Sequence, residues 1–116
     1  MQLQERQFPR SQRQPQALQI KARQLRARRL KDLVSIGPAM LRDFELLGIH
    51  TVQQLARQSP TRLYQKLCRI TAQPVDICCQ DVFFAAVAQA RNPLLPADQC
   101  QWWYWSRQRK ARNARG

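Results

Sequence analysis

A chain of 116 residues with 44% hydrophobic content has room for one small domain whose core is only just large enough to sustain it. Its formal charge of +13 is unevenly placed: residues 1–31 carry nine Lys/Arg against one acid, residues 32–101 six against six, and residues 102–116 five against none. A neutral body between cationic ends suits a polyanion, nucleic acid ahead of an acidic membrane surface, with solubilising tails as the alternative.

No apolar run approaches the about 20 residues of a membrane-spanning helix. The N-terminus lacks the apolar segment of a secretory signal. It is Arg-rich and acid-poor like an organelle transit peptide, yet rich in Gln and nearly free of Ser. The expected compartment is the cytoplasm, where four cysteines stay reduced.

In chain order, residues 1–16 (MQLQERQFPRSQRQPQ) show no period and predict a disordered basic arm. From Ala17 to Leu33 helix formers take over, and Leu18, Leu25, Leu30 and Leu33 make a broken apolar stripe that leads into a tight turn. Leu33-Val34-Ser35-Ile36-Gly37-Pro38-Ala39-Met40 has the layout of a helix-hairpin-helix element, with the second helix opening at Pro38. Met40, Leu41, Phe44 and Leu47 fall on one face of that helix, and Gly48 ends it. Thr51 and Gln54 fit a capping box. Ser59-Pro60 starts the next helix, with Leu63, Leu67 and Ile70 as its apolar stripe.

After the connection TAQP, Pro74 is expected to open the most hydrophobic segment, PVDICCQDVFFAAVAQA, apolar nearly all round and therefore central in a small bundle. Asn92-Pro93 stops it, PLLPAD forms a loop, and QWWYW begins a last helix or arm that fades into the tail SRQRKARNARG. No strand alternation is present. The prediction is an all-α compact bundle built on the helix-hairpin-helix element, as a basic arm (1–16), a domain (17–105) and a basic C-terminal tail (106–116).

The hairpin is the candidate site. Phosphate binding needs close backbone approach and free amides at a helix N-terminus. Gly37 as N-cap and Pro38 at the first position supply that geometry, leaving the amides of Ala39, Met40 and Leu41 unpaired. Arg42 lies one turn on, and Arg29 and Lys31 flank the entry. Such contacts read the backbone and not the bases. A plain αα connection is the competing reading.

Cys78 and Cys79 are adjacent, and Cys68 and Cys100 are single and remote, so zinc-ligand spacing is missing and thiols that fill core space are expected. Trp102-Trp103-Tyr104-Trp105, next to Arg107, Arg109 and Lys110, fits either a clamp in which Trp102 and Trp105 seal the bundle or a surface for stacking bases. The acids are scattered and His50 sits in a loop, so no catalytic group, metal, cofactor or small-molecule substrate is expected.

From Leu30 to Trp105 the chain resembles the "pathogenicity locus" family of small bacterial helix-hairpin-helix proteins, often described as mitomycin-resistance-like. The stretches that carry the resemblance are LKDLVSIGPAMLRDFELLGIHTVQQLA, SPTRLYQKLCRIT, VDICCQDVFFAAVA and the closing WWYW. The first of these also resembles the C-terminal domain of one class of bacterial competence regulators. The resemblance implies an all-α fold, a DNA-associated hairpin at Ser35, Ile36, Gly37, Pro38 and Ala39, no established enzymatic activity and a cytoplasmic location.

Two departures stand out. The first glycine of the usual Gly-hydrophobic-Gly turn is Ser35, and a later Thr-Gly pattern is Thr71-Ala72. Ser narrows the backbone conformations open to the turn, so binding strength is expected to reside mainly in the basic ends. The resulting expectation is a non-enzymatic DNA-binding protein linked to DNA repair or mitomycin resistance. The alternative is an adapter whose Trp-rich edge docks on a DNA-processing protein.

Overall fold

Three helices of this chain begin where a side chain takes up an amide of the first turn. Thr51 Oγ accepts the Gln54 amide at 3.0 Å, and Gln54 Oε1 accepts the Thr51 amide at 3.2 Å in return. Ser59 Oγ accepts the Arg62 amide at 3.3 Å, with Pro60 at the first helical position. Asp76 Oδ1 accepts the Cys78 amide at 2.8 Å. In the computed structural model, which describes residues 28–115, these caps start three of five α-helices: α1 (Pro38–Leu46), α2 (Val52–Ala56), α3 (Pro60–Thr71), α4 (Cys78–Arg91) and α5 (Trp102–Arg115). Two 3-10 turns, Leu30–Asp32 and Ala97–Cys100, complete the described elements, none of which is a strand. The fold is all-α.

Helix α4 is central and packs against α2, α3 and α5. Phe83 on α4 meets Phe44 on α1 at a ring-centroid distance of 5.8 Å, and both rings are fully buried. Leu55, Leu67 and Val87 close around them. Each such side chain contributes about 1.5–3 kcal/mol by leaving water. Gly48, at φ +76°, turns the chain out of α1, as its place after the apolar run predicts. Among the described residues no helix is long and apolar enough to cross a membrane.

Several expectations need correction. The expected helix over 17–33 does not reach the turn: residues 28–33 hold one 3-10 turn, because Asp32 accepts the Arg29 amide at 2.7 Å and Leu33 closes onto the Leu30 carbonyl three residues back. Its remainder, and the arm 1–16, lie outside the described residues. Pro74 does not open α4, which starts at Cys78, where Asp76 can cap it. Ile70 is 43% exposed, so the buried stripe of α3 ends at Leu67. The segment expected as a tail from residue 106 continues α5 to Arg115. It holds no Pro or Gly before Gly116, consists largely of good helix formers, and is pinned by Arg109.

Candidate nucleic-acid interface

The turn before α1 is fixed from below by apolar side chains and from the side by one amide. Leu30, Leu33 and Ile36 are buried in the core. The Ile36 amide donates to the Leu33 carbonyl at 3.3 Å. Gln89, 4% exposed on α4, accepts the Val34 amide on Oε1 at 2.9 Å. Its Nε2 donates to the Val34 carbonyl at 3.3 Å and to the Cys100 carbonyl at 3.4 Å. Arg28 donates to the Gln89 carbonyl at 2.8 Å. Ser35 Oγ lies 3.5 Å from Gln101 Oε1, so the turn sits beside the start of α5.

Ser35 carries the reversal, at φ +68°. A left-handed conformation is strained for a residue with a Cβ, and glycine would adopt it freely. The other left-handed non-glycine among the described residues is Ala72, φ +55°, at the C-terminus of α3. The two positions where the sequence replaces an expected glycine are thus the two that bend the wrong way for a side chain. Gly37 is extended (φ −100°, ψ −171°), and a Cβ built on it meets nothing within 4 Å. Neither conformation nor packing within the protein calls for glycine there, and the space above it is open.

Around this turn Pro38, Ala39, Ser35, Arg29, Lys31 and Arg42 are exposed, while the Ile36 side chain is buried and leaves only its backbone for contact. The Leu41 amide, expected to be free, donates to the Gly37 carbonyl at 3.0 Å. Ala39 and Met40 keep first-turn amides with no acceptor among the described residues. Asp32, which accepts the Arg29 amide, and Asp43, next to Arg42 in the chain, offset only part of the charge of Arg28, Arg29, Lys31 and Arg42. Burial raises the Asp43 carboxyl above the usual range, and Arg42 acts in the opposite sense.

The tryptophans divide their roles. Trp105 is the clamp: it stacks on Phe84 with centroids 5.6 Å apart, and its Nε1 donates to the Gln99 carbonyl at 2.8 Å. Trp102 does not join it and is 40% exposed, as is Trp103 at 37%, with the Arg107 guanidinium 4.5 Å from its ring centroid. The thiols are half-buried rather than enclosed, and Cys79 packs against the core. Burial, followed by Asp43 and the neighbouring Cys68 and Asp76, pushes the Cys79 thiol up to about 11. The Cys78 thiol is raised as well, by its hydrogen bond to Asp76. Both shifts oppose a thiolate. Among the described residues no group of three or more His, Cys, Asp or Glu side chains converges as a metal site would require.

The sequence reading missed Gln89, Gln101 and Asp81. Gln89 and Asp81 are polar breaks in an otherwise apolar helix. Buried polar groups need partners, and that requirement was the available signal. Asp81 is 1% exposed and receives Arg109 Nε at 3.1 Å and Nη2 at 2.9 Å.

The profile described as "Pathogenicity locus" matches residues 23–111. Over 81 residues the chain is 36% identical to "Mitomycin resistance protein McrB" of Streptomyces lavendulae, a match that spans 70% of this chain and 73% of that protein. No solved structure matches the chain. With a family profile matched from before the Ser35–Ala39 turn to within α5, the chain belongs to the pathogenicity locus family.

Proposed function

We propose that this protein is a non-enzymatic, cytoplasmic DNA-binding protein that contacts the phosphate backbone without sequence specificity and acts in resistance to mitomycin or in DNA repair. The observation that carries the reading is the turn Ser35–Ala39. It presents Ser35, Pro38 and Ala39 to solvent, has open space above Gly37 and, among the described residues, unpaired amides at Ala39 and Met40, and is flanked by Arg29, Lys31 and Arg42. The name of the Streptomyces relative supports the link to mitomycin. The partly offset charge at the turn makes it a positioning element, with the cationic ends supplying most of the attraction.

The test is DNA binding by the full chain and by a Gly37→Val variant over a range of salt. Valine can adopt the extended backbone, and as an N-cap it costs at most about 1 kcal/mol, so the fold is retained. Its side chain fills the space a phosphate would enter. If about six cations meet phosphates, log K falls with a slope near −5 against log salt. Weaker binding by the valine variant supports the reading. Wild-type affinity in that variant removes the turn from the interface, and no binding by the parent at low salt ends the proposal.

A second reading is favoured by the exposed Trp102 and Trp103 at the start of α5, a surface suited to docking on a DNA-processing protein. A copurifying protein that survives nuclease and high salt, and is lost in Trp102→Ala/Trp103→Ala, would favour this adapter role over direct binding.

A further inference from the structure

The strongest amphipathic element of the described chain is α3, and its polar face carries one sign of charge. Arg62, Lys66 and Arg69 recur at i, i+4 and i+7. On a helix they fall within an arc of about 60° and span about 10 Å along the axis. All three are exposed, and α3 contains no acid. Among the described residues none of the three lies within 4 Å of a carboxylate, in contrast to Arg109, which is held by Asp81. Unpaired like charges on one helix face repel each other, and among the described residues no carboxylate offsets that here.

The same side chains border a groove of about 380 Å³ together with Gln58 and Gln65, with Leu47 and Leu63 as its floor. Its polar rim consists of two amides and three cations and contains no carboxylate. Groove and charge together fit an oxyanion better than a neutral or cationic ligand. The linear arrangement selects among oxyanions. A nucleic-acid strand presents a phosphate every 3.4 Å or so of axis, so a row about 10 Å long faces about three of them.

We infer that the groove along α3, lined by Arg62, Lys66 and Arg69, is a second phosphate-contact face that takes successive phosphates of one nucleic-acid strand. The inference deepens the DNA-binding reading and rests on it, but it places charge contact on the body rather than on the turn or the chain ends.

The experiment compares the full chain with Arg62→Gln/Lys66→Gln/Arg69→Gln and with the equally discharged Arg29→Gln/Lys31→Gln/Arg42→Gln, using a short mixed-sequence duplex across a salt series. Thermal melting checks the fold, and the single variant Lys66→Glu serves if the triple one melts early. The α3 variant should bind at least about tenfold more weakly at low salt, with a salt slope shallower by about 2–3 units. In the parent, backbone amide resonances from Arg62 to Arg69 should shift on titration.

Parent-like affinity and slope in the α3 variant, beside a loss in the turn variant, overturn the inference and leave the DNA-binding reading standing. Failure of the parent to bind the duplex at low salt removes both. Inorganic pyrophosphate is the second probe. If it raises the melting temperature of the parent but not of the α3 variant, while duplex affinity is the same in both, the groove serves a small phosphate ligand and the strand assignment is overturned.

Discussion

The side-chain amide of Gln89 holds both backbone polar groups of Val34, accepting its N–H at 2.9 Å and donating to its carbonyl at 3.3 Å. A single buried side chain of the central helix thereby sets the position of the turn that precedes α1, and through the Cys100 carbonyl it ties the start of α5 to the same point. Gln89→Leu keeps the volume and removes all three bonds. The expected cost is about 1–3 kcal/mol in denaturant unfolding, with faster hydrogen exchange at the Val34 amide. Unchanged stability and exchange would show that the apolar anchors Leu33 and Ile36 hold the turn unaided.

Asp81 and Arg109 form a bidentate pair with the carboxylate fully buried. Removing one partner of such a pair leaves an uncompensated charge. Arg109→Ala should cost about 3–5 kcal/mol. The double replacement Asp81→Leu/Arg109→Met should recover most of that loss, because the desolvation of both charges disappears with the pair. A loss below about 1 kcal/mol in Arg109→Ala would mean that water reaches Asp81 from the α5 side, the two outcomes being read from urea midpoints.

Ser35 and Ala72 both occupy left-handed backbone. Relief of that strain by Ser35→Gly or Ala72→Gly should raise stability by about 1 kcal/mol each, the gain being reduced by the greater freedom of glycine in the unfolded chain. Thermal melting measures it. A fall in melting temperature for Ala72→Gly would mean that the methyl group contributes more by packing than the backbone loses.

The Cys79 thiol is pushed from 9.0 to about 11 in the folded protein. The folded value lies above the unfolded one, so the folded chain holds the proton more tightly. Its contribution is fully present below about pH 9 and is lost as pH rises toward 11. Melting temperature should fall across that window, and less steeply in Cys79→Ala, whose baseline is lower from the lost packing. Parallel curves for the two proteins would assign the alkaline loss to other groups.

What the sequence made legible was mostly what is decided within a few residues. The Thr51–Gln54 box, the Ser59-Pro60 start, the Gly48 stop and the Asn92 end of α4 are local, and each lies where its residue type predicts. The two replaced glycines were legible through the family pattern and coincide with the two strained residues. The relationships that position the candidate site were not legible. Gln89 and Val34 are 55 residues apart, and Asp81 and Arg109 are 28 apart. Periodicity shows which face of a helix is apolar but not where its cover ends, which is why Ile70 continues the apolar stripe of α3 and yet is exposed. Composition marked residues 106–116 as cationic and so suggested a loose tail. It could not show that one of those cations has a buried carboxylate to meet.

That C-terminal cationic segment is helical, and this changes what its charges can do. Arg107, Lys110 and Arg112 stand on a rod with a fixed rise of about 1.5 Å per residue, not on a chain free to wander. A loose segment must give up about 1–2 kcal/mol of backbone freedom for each residue it orders on a partner. A segment already wound and anchored at Arg109 surrenders almost none. It also cannot wrap: its charges reach only surfaces that lie along its axis, so it acts as a directional probe whose aim is set by the central helix.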